Sequence, residues 1–315
     1  MEMGMVGLGR MGGNMVARLL ERGHRVVAFD LSKDAVKAIA AKGAVGADSW
    51  EDFVGKFQSK PRVMWVMVPA GEPTTQAIDK LIELASPGDI IIDGGNTNWQ
   101  IAMQDCERIK AKGMHYMDAG TSGGIWGLEY GYCLMVGADQ GTYDHCLPLF
   151  KDLAPDEGGL VHTGPEGSGH FVKMVHNGVE YGLMQAYAEG FGVMKLSKSF
   201  PGMDMQAIAE AWRTGSVVRS WLLDLIARGL SEDPELSTIK GYVEDTGEGR
   251  WTVEAAIDEA VPVPIIAEAL FARFRSRMEN TFGDRMLAMM RNQFGGHATV
   301  KDAGSESAKT PKRAG

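Results

Sequence analysis

The stretch GHFVKMVHNGVEYG, residues 169–182, gathers side chains able to do chemistry within an otherwise apolar run. At about 100° per residue, Lys173, His176, Asn177 and Glu180 share one helix face over two turns. A lysine, a histidine and a glutamate on a buried stripe need partners or a task. The residues alone leave two arrangements open: a buried Lys–Glu ion pair beside a core histidine, or an acid/base pair lining a substrate pocket. In the second, Lys173 must fall from an ordinary value of about 10.4 to act as a base, and Glu180 must rise to stay protonated. Burial on an apolar helix pushes both in those directions.

A second constellation lies at the N-terminus. GLGRMG, comprising Gly7, Leu8, Gly9, Arg10, Met11 and Gly12, has the GxGxxG spacing, follows an apolar strand run and opens a helical pattern. Its glycines would supply a tight turn, room for a pyrophosphate and close helix–strand packing, with the helix N-terminus facing the phosphates. The next strand run ends in Asp30, about 20 residues on, where a carboxylate hydrogen-bonds ribose hydroxyls and repels a 2′-phosphate. NAD is therefore expected over NADP, with the acid/base face set opposite the nicotinamide.

The elements positioning these residues follow from periodicity. Short apolar runs at Met3–Val6, Arg25–Phe29, Arg62–Val68, Asp89–Ile92 and His115–Asp118 alternate with helical patterns, which predicts βαβ units on a parallel sheet, extended by Tyr132–Val136 and Leu160–His162. After GPEGSG the pattern turns helical. A helix is predicted from Ser168 to Lys195, apolar on most of its circumference and so central, followed by helices near 204–213, 219–229, 251–259, 264–279 and 283–291. The expected fold is a mostly parallel α/β Rossmann domain over 1–163 and an all-α substrate and dimerisation domain over 164–297. Residues 298–315 have little to bury and are expected to form a flexible tail.

Composition limits the remaining choices. The 315 residues are 44% hydrophobic and 23% charged, which suits a globular protein of about two domains. A net charge of −9 disfavours nucleic acid and anionic lipid, so an anionic substrate needs a local basic pocket. Cys106, Cys133 and Cys146 are odd in number and lack CxxC spacing, and no histidines are paired as in zinc sites, so reduced, buried thiols, no metal and a cytoplasmic protein are expected. No apolar run reaches the roughly 20 residues of a membrane span, and with the glycine motif so near the first residue no signal peptide is expected.

With these motifs in view, the chain resembles the decarboxylating 6-phosphogluconate dehydrogenases, in particular their short, mostly bacterial, NAD-preferring form. The resemblance is carried by GLGRMGGNM, MVPAG, IIDGGN, DAGTSGGIWGLEYGYCLMVG, GPEGSGHFVKMVHNGVEYG, EGRWT, FARF and RNQFGGH, from Gly4 to His297. It implies oxidation of 6-phosphogluconate at carbon 3, loss of its carboxyl group as carbon dioxide and release of ribulose 5-phosphate. By the same resemblance Lys173 accepts the 3-hydroxyl proton and Glu180 protonates carbon 1 of the enediol. Ser122, Gly123 and Gly124 hold the substrate carboxylate, and His176 and Asn177 bind hydroxyls or carboxylate. Val68, Pro69 and Ala70 line the cofactor, and Asn96 lies between cofactor and substrate.

For the phosphate the resemblance points to Tyr181, Arg273 and Arg291. Arg291 and His297 are expected to reach a neighbouring subunit's site in a homodimer or homotetramer. The chain departs from the family twice. Thr246 stands where longer members have a phosphate-contacting lysine, leaving Arg250 or Lys240 to substitute. Asp30-Leu31-Ser32 replaces the Asn-Arg-Thr-like run of NADP-using members, though Lys33 leaves weaker NADP use open. The competing expectations are a β-hydroxyacid dehydrogenase of the 3-hydroxyisobutyrate type, which would give no reason for Glu180, and a non-catalytic NAD-sensing protein.

Overall fold

The computed structural model describes residues 1–300; the expected tail from residue 301 onward lies outside the described residues. Strands β1 (Glu2–Val6), β2 (Arg25–Phe29), β3 (Val45–Gly46), β4 (Val63–Val66), β5 (Ile90–Asp93), β6 (His115–Ser122), β7 (Cys133–Gly137) and β8 (Leu160–Gly164) form one sheet in the order β3-β2-β1-β4-β5-β6-β7-β8. Neighbouring strands are parallel except β6 and β7. The strand order reverses beside β1, so a crevice opens between β1 and β4 at their carboxyl ends. All seven predicted strands are present; the two-residue β3 is too short to show periodicity.

Both faces of the sheet are covered, as period-two side chains of parallel strands require. Met3, Met5, Val26, Ala28, Val63, Trp65, Ile90 and Ile92 face one core, while Val6, Val27, Phe29, Met64, Val66 and Ile91 face the other. Helices α1 (Arg10–Glu21), α2 (Lys33–Ala40), α3 (Trp50–Gly55), α4 (Glu72–Leu84), α5 (Trp99–Lys110), α6 (Gly127–Tyr130) and α7 (Gln140–Leu153) complete this half. The second half is helical: α8 (Ser168–Lys195), α9 (Met205–Arg213), α10 (Trp221–Glu232), α11 (Glu248–Asp258), α12 (Pro264–Ser276) and α13 (Phe282–Gly295). The fold is thus the expected α/β Rossmann half followed by an all-α half.

The long helix α8 joins the halves, and its start is fixed by buried charge. Asp118 at β6 accepts from the backbone amides of Gly167 (2.6 Å) and His170 (2.7 Å), satisfying donors that the helix leaves unpaired. His170 Nε2 lies 3.3 Å from Asp93 Oδ2 at the end of β5, with both side chains sealed from solvent. Burial disfavours a charged His170, but Asp93 and then Asp118 outweigh it and hold its pKa above the usual histidine value. A raised histidine stabilises fully below the ordinary value, and its contribution is lost as pH rises through the raised one. Replacing His170 with Leu leaves Asp93 buried without its partner, at an expected cost of about 3–5 kcal/mol in chemical denaturation.

Candidate active site

The glycine turn is shaped for a dinucleotide. Gly7 has φ +97°, and a Cβ there would lie 2.2 Å from the Met67 carbonyl oxygen; a Cβ on Gly12 would lie 2.1 Å from that of Gly7. Only glycine lets α1 approach β1 and β4 so closely, while Gly9 faces open space, leaving its backbone accessible. Asp30, at the end of β2, accepts from the amides of Leu8 (2.6 Å) and Ser32 (2.7 Å), which ties the turn to the ribose-side carboxylate. Gly7, Asp30, Val68 and Pro69 border a hollow of about 760 Å³ that Trp50, Gln76 and Lys80 also line. Those last three come from α3 and α4 and carry no motif, so spacing had no means of finding them.

The turn opens into a cleft of about 1320 Å³. Its walls bring together Gly9, Arg10, Met11, Gly12, Val68, Pro69, Ala70, Asn96, Ser122, Gly123, Gly124, Lys173, His176, Asn177 and Glu180, residues drawn from distant parts of the sequence. Gly123 (φ +129°) and Gly124 (φ +54°) take left-handed conformations that favour glycine, turning the chain after β6 beside Ser122. On the far wall stand Ser220, Trp221, Leu222 and Leu225 around the start of α10, with Thr246 and Glu248 nearby.

Lys173 lies deep in the cleft, 7% exposed. Gly120 of β6 makes this possible: a Cβ there would come within 2.4 Å of the Lys173 Cβ, so a larger residue would push α8 off the sheet. Lys173 Nζ donates to Asn177 Oδ1 (2.5 Å), and His176 Nδ1 donates to the same oxygen (3.0 Å). Burial lowers the Lys173 pKa, opposed by Glu180 most strongly, then Glu248 and Cys133. Glu180 is more open than expected: its side chain is 39% exposed, with Oε2 4.0 Å from His176 Nδ1. The helix is less enclosed than its composition predicts, because Val172, Val179 and Leu183 face the cleft and remain exposed.

Other expected residues fall outside the cleft walls. Tyr181 is buried, with the Arg273 guanidinium 3.5 Å from its ring centre, and Tyr181 Oη accepts from the Thr246 amide (3.4 Å). Arg273 also donates to the Glu244 carbonyl oxygen (2.9 Å). Arg250 is paired with Asp245 (2.8 Å) and stacked over Phe274, and Lys240 is exposed and does not line the cleft. Arg291 and His297 are exposed at the C-terminal end and do not reach this chain's cleft. Cys133 corrects the expectation of three buried thiols: Cys106 and Cys146 are buried and pushed up to about 11 and about 12, but Cys133, the first residue of β7, is exposed. The sequence also missed Glu248, which lies in the quoted EGRWT but 71 residues from its partner Asn177.

Among the described residues no group of three or more His, Cys, Asp or Glu side chains has the grouping of a metal site, and no helix is long and apolar enough to cross a membrane. Comparison with known proteins gives a consistent assignment. The family model "NAD binding domain of 6-phosphogluconate dehydrogenase" matches residues 2–164, and "6-phosphogluconate dehydrogenase, C-terminal domain" matches 169–309. A Bacillus subtilis protein named putative 6-phosphogluconate dehydrogenase is 42% identical over 305 residues, 96% of this chain and 100% of its own length. A Haloferax volcanii protein named NAD(+)-dependent, decarboxylating 6-phosphogluconate dehydrogenase is 42% identical over 302 residues, 96% of this chain and 99% of its own. A solved Plasmodium falciparum 6-phosphogluconate dehydrogenase superposes with TM-score 0.80 at 26% identity, covering 97% of this chain and 67% of that one. A Salmonella typhimurium 3-hydroxyisobutyrate dehydrogenase superposes with TM-score 0.70 at 20% identity, covering 85% of this chain and 91% of that one, a likeness of fold alone. With both halves matched and two relatives at 42% identity across 96% of its length, the chain belongs to the 6-phosphogluconate dehydrogenase family.

Proposed function

We propose that this protein oxidatively decarboxylates 6-phosphogluconate to ribulose 5-phosphate and carbon dioxide with reduction of NAD. The observation carrying this is a single cleft with a dinucleotide turn at one end and, on one face of α8, the buried Lys173 and the more open Glu180. When bound, the nicotinamide supplies the hydride acceptor. Lys173, its pKa lowered chiefly by burial, accepts the 3-hydroxyl proton at Nζ. The resulting ammonium then donates a hydrogen bond to the new carbon 3 carbonyl. That polarisation draws in the electron pair released as carbon dioxide leaves. Glu180 then delivers a proton to carbon 1 of the enediol.

Ser122 and the unshielded amides of Gly123 and Gly124 hold the substrate carboxylate, and Asn96, His176 and Asn177 orient its hydroxyls. Among the described residues Tyr181 is buried and the Arg273 guanidinium is engaged by the Tyr181 ring and the Glu244 carbonyl oxygen. That supports a phosphate site completed by Arg291 and His297 of a second copy, in a homodimer or homotetramer. Three free cysteines fit a reducing cytoplasm. The test is reduction of NAD and NADP with 6-phosphogluconate, gluconate and 3-hydroxyisobutyrate. Turnover with 6-phosphogluconate and NAD at the highest kcat/KM is expected; preference for 3-hydroxyisobutyrate would reject the proposal.

Asp30 supports NAD over NADP, since a 2′-phosphate beside it meets a like charge with no neighbouring arginine in Asp30-Leu31-Ser32. Asp30→Ser is expected to move the NADP to NAD ratio of kcat/KM by about tenfold toward NADP, the equivalent of about 1.4 kcal/mol. A wild-type enzyme with the higher kcat/KM for NADP would contradict this.

A further inference from the structure

The geometry points to Glu248 as a positioning residue that sets the orientation of Asn177 through a hydrogen bond and favours the ammonium form of Lys173 through its charge. This rests on the reading of Lys173 as the base. Glu248 begins α11 and is 2% exposed, yet it borders the cleft. A buried carboxylate needs full satisfaction, and both its oxygens are used. Asn177 Nδ2 donates to Oε1 (2.9 Å), and Thr246 Oγ1 donates to Oε2. Its backbone is pinned as well, because Thr252 Oγ1 lies 2.8 Å from both the Glu248 carbonyl oxygen and that of Met174 on α8, its one proton shared between them.

The consequence lies in what a carboxylate lacks. An ionised carboxylate only accepts, so the Asn177 amide must turn its NH2 toward Glu248 and its oxygen toward Lys173 and His176. That oxygen is the acceptor on Lys173 Nζ. Glu248 therefore decides which end of the amide the lysine meets, and its charge favours the ammonium form. The titratable groups facing Lys173 are Glu180 and His176 on α8, Glu248 on α11 and Cys133 on β7. Of the carboxylates among them, Glu180 is the proposed acid, whereas Glu248 is held away by two hydrogen bonds and is free to serve as a fixed charge. Glu248 thus keeps Lys173 from falling too far, so that it returns to the ammonium that polarises the carbonyl.

The test is the titration of Lys173 itself, followed by NMR in the full-length protein with lysines 13C-labelled at Cε. The signal is assigned by its loss in Lys173→Met. Glu248→Gln, which keeps shape but removes charge, is expected to lower the Lys173 midpoint by about one unit and to move the acid limb of kcat/KM to lower pH by the same amount. A midpoint unchanged within about 0.2 unit overturns the inference, since a purely structural role would leave it in place. Glu248→Asp keeps the charge but withdraws it from Asn177, so the acid limb should stay while kcat/KM falls about tenfold; wild-type kcat/KM in that variant also overturns it, and this decides the matter if Glu248→Gln does not fold. Failure of the underlying reading is separate: turnover by Lys173→Met removes Lys173 as base, while the NMR midpoints still report the coupling to Glu248.

Discussion

Lys173→Met should keep the fold and bind cofactor yet lose about two to four orders of magnitude in turnover, the usual worth of a positioned proton acceptor. Methionine fills the space beside Gly120 and preserves the packing of α8 on the sheet, so the loss isolates chemistry from stability. The lysine is asked to act twice, as base toward the 3-hydroxyl and as cation toward the ketone, and no neighbouring group replaces both. His176 already donates to Asn177, and Glu248 is held by Asn177 and Thr246. Glu180→Gln should lose turnover on the same scale, because an amide cannot deliver the proton that carbon 1 needs. Steady-state rates with folded, NAD-binding variants check both; near-wild-type turnover in either would reject its role.

The second large effect concerns α13. This helix has a capping box at Thr281 and Asp284 but no buried residue, and Phe282, Leu287 and Phe294 are exposed at 67%, 59% and 80%. A free helix showing this much apolar surface is unfavourable in water, and a second copy would cover it. The same helix carries Arg291, outside this chain's own cleft. If copies exchange α13, mixing inactive Lys173→Met with inactive Arg291→Ala yields hybrids in which one site carries both defects and the other carries neither. Activity should return toward half per hybrid dimer. No recovery, with hybrids verified by native mass spectrometry, would mean that each subunit builds its site alone.

Local pattern was enough for the strands and for α8, because period-two runs and three- and four-residue steps report directly which face meets a core. It also grouped Lys173, His176, Asn177 and Glu180, whose relation is set by helix geometry alone. What it missed depends on contacts between distant segments. Glu248 joins the site only when α11 packs on α8 through Thr252, and Trp50 and Gln76 only when α3 and α4 fold toward Asp30. Exposure was the least legible property. Cys133 sits in an apolar strand run and Glu180 on an apolar helix, yet Cys133 is exposed at the start of β7 and Glu180 lines the open cleft. The contacts of Arg273 with the Tyr181 ring and the Glu244 carbonyl oxygen likewise join segments too far apart for local pattern to report.

If oxidation and decarboxylation occur in one cleft, their products form in equal amounts, and counting both is the decisive check. Purified enzyme is supplied with 6-phosphogluconate and NAD, and NADH is measured by absorbance while carbon dioxide is trapped from the same reaction. One carbon dioxide per NADH is the result expected if Lys173, as ammonium, drives the loss of the carboxyl group after oxidation. NADH formed without carbon dioxide, with a keto acid accumulating instead, would contradict it and leave a simple hydroxyacid dehydrogenase.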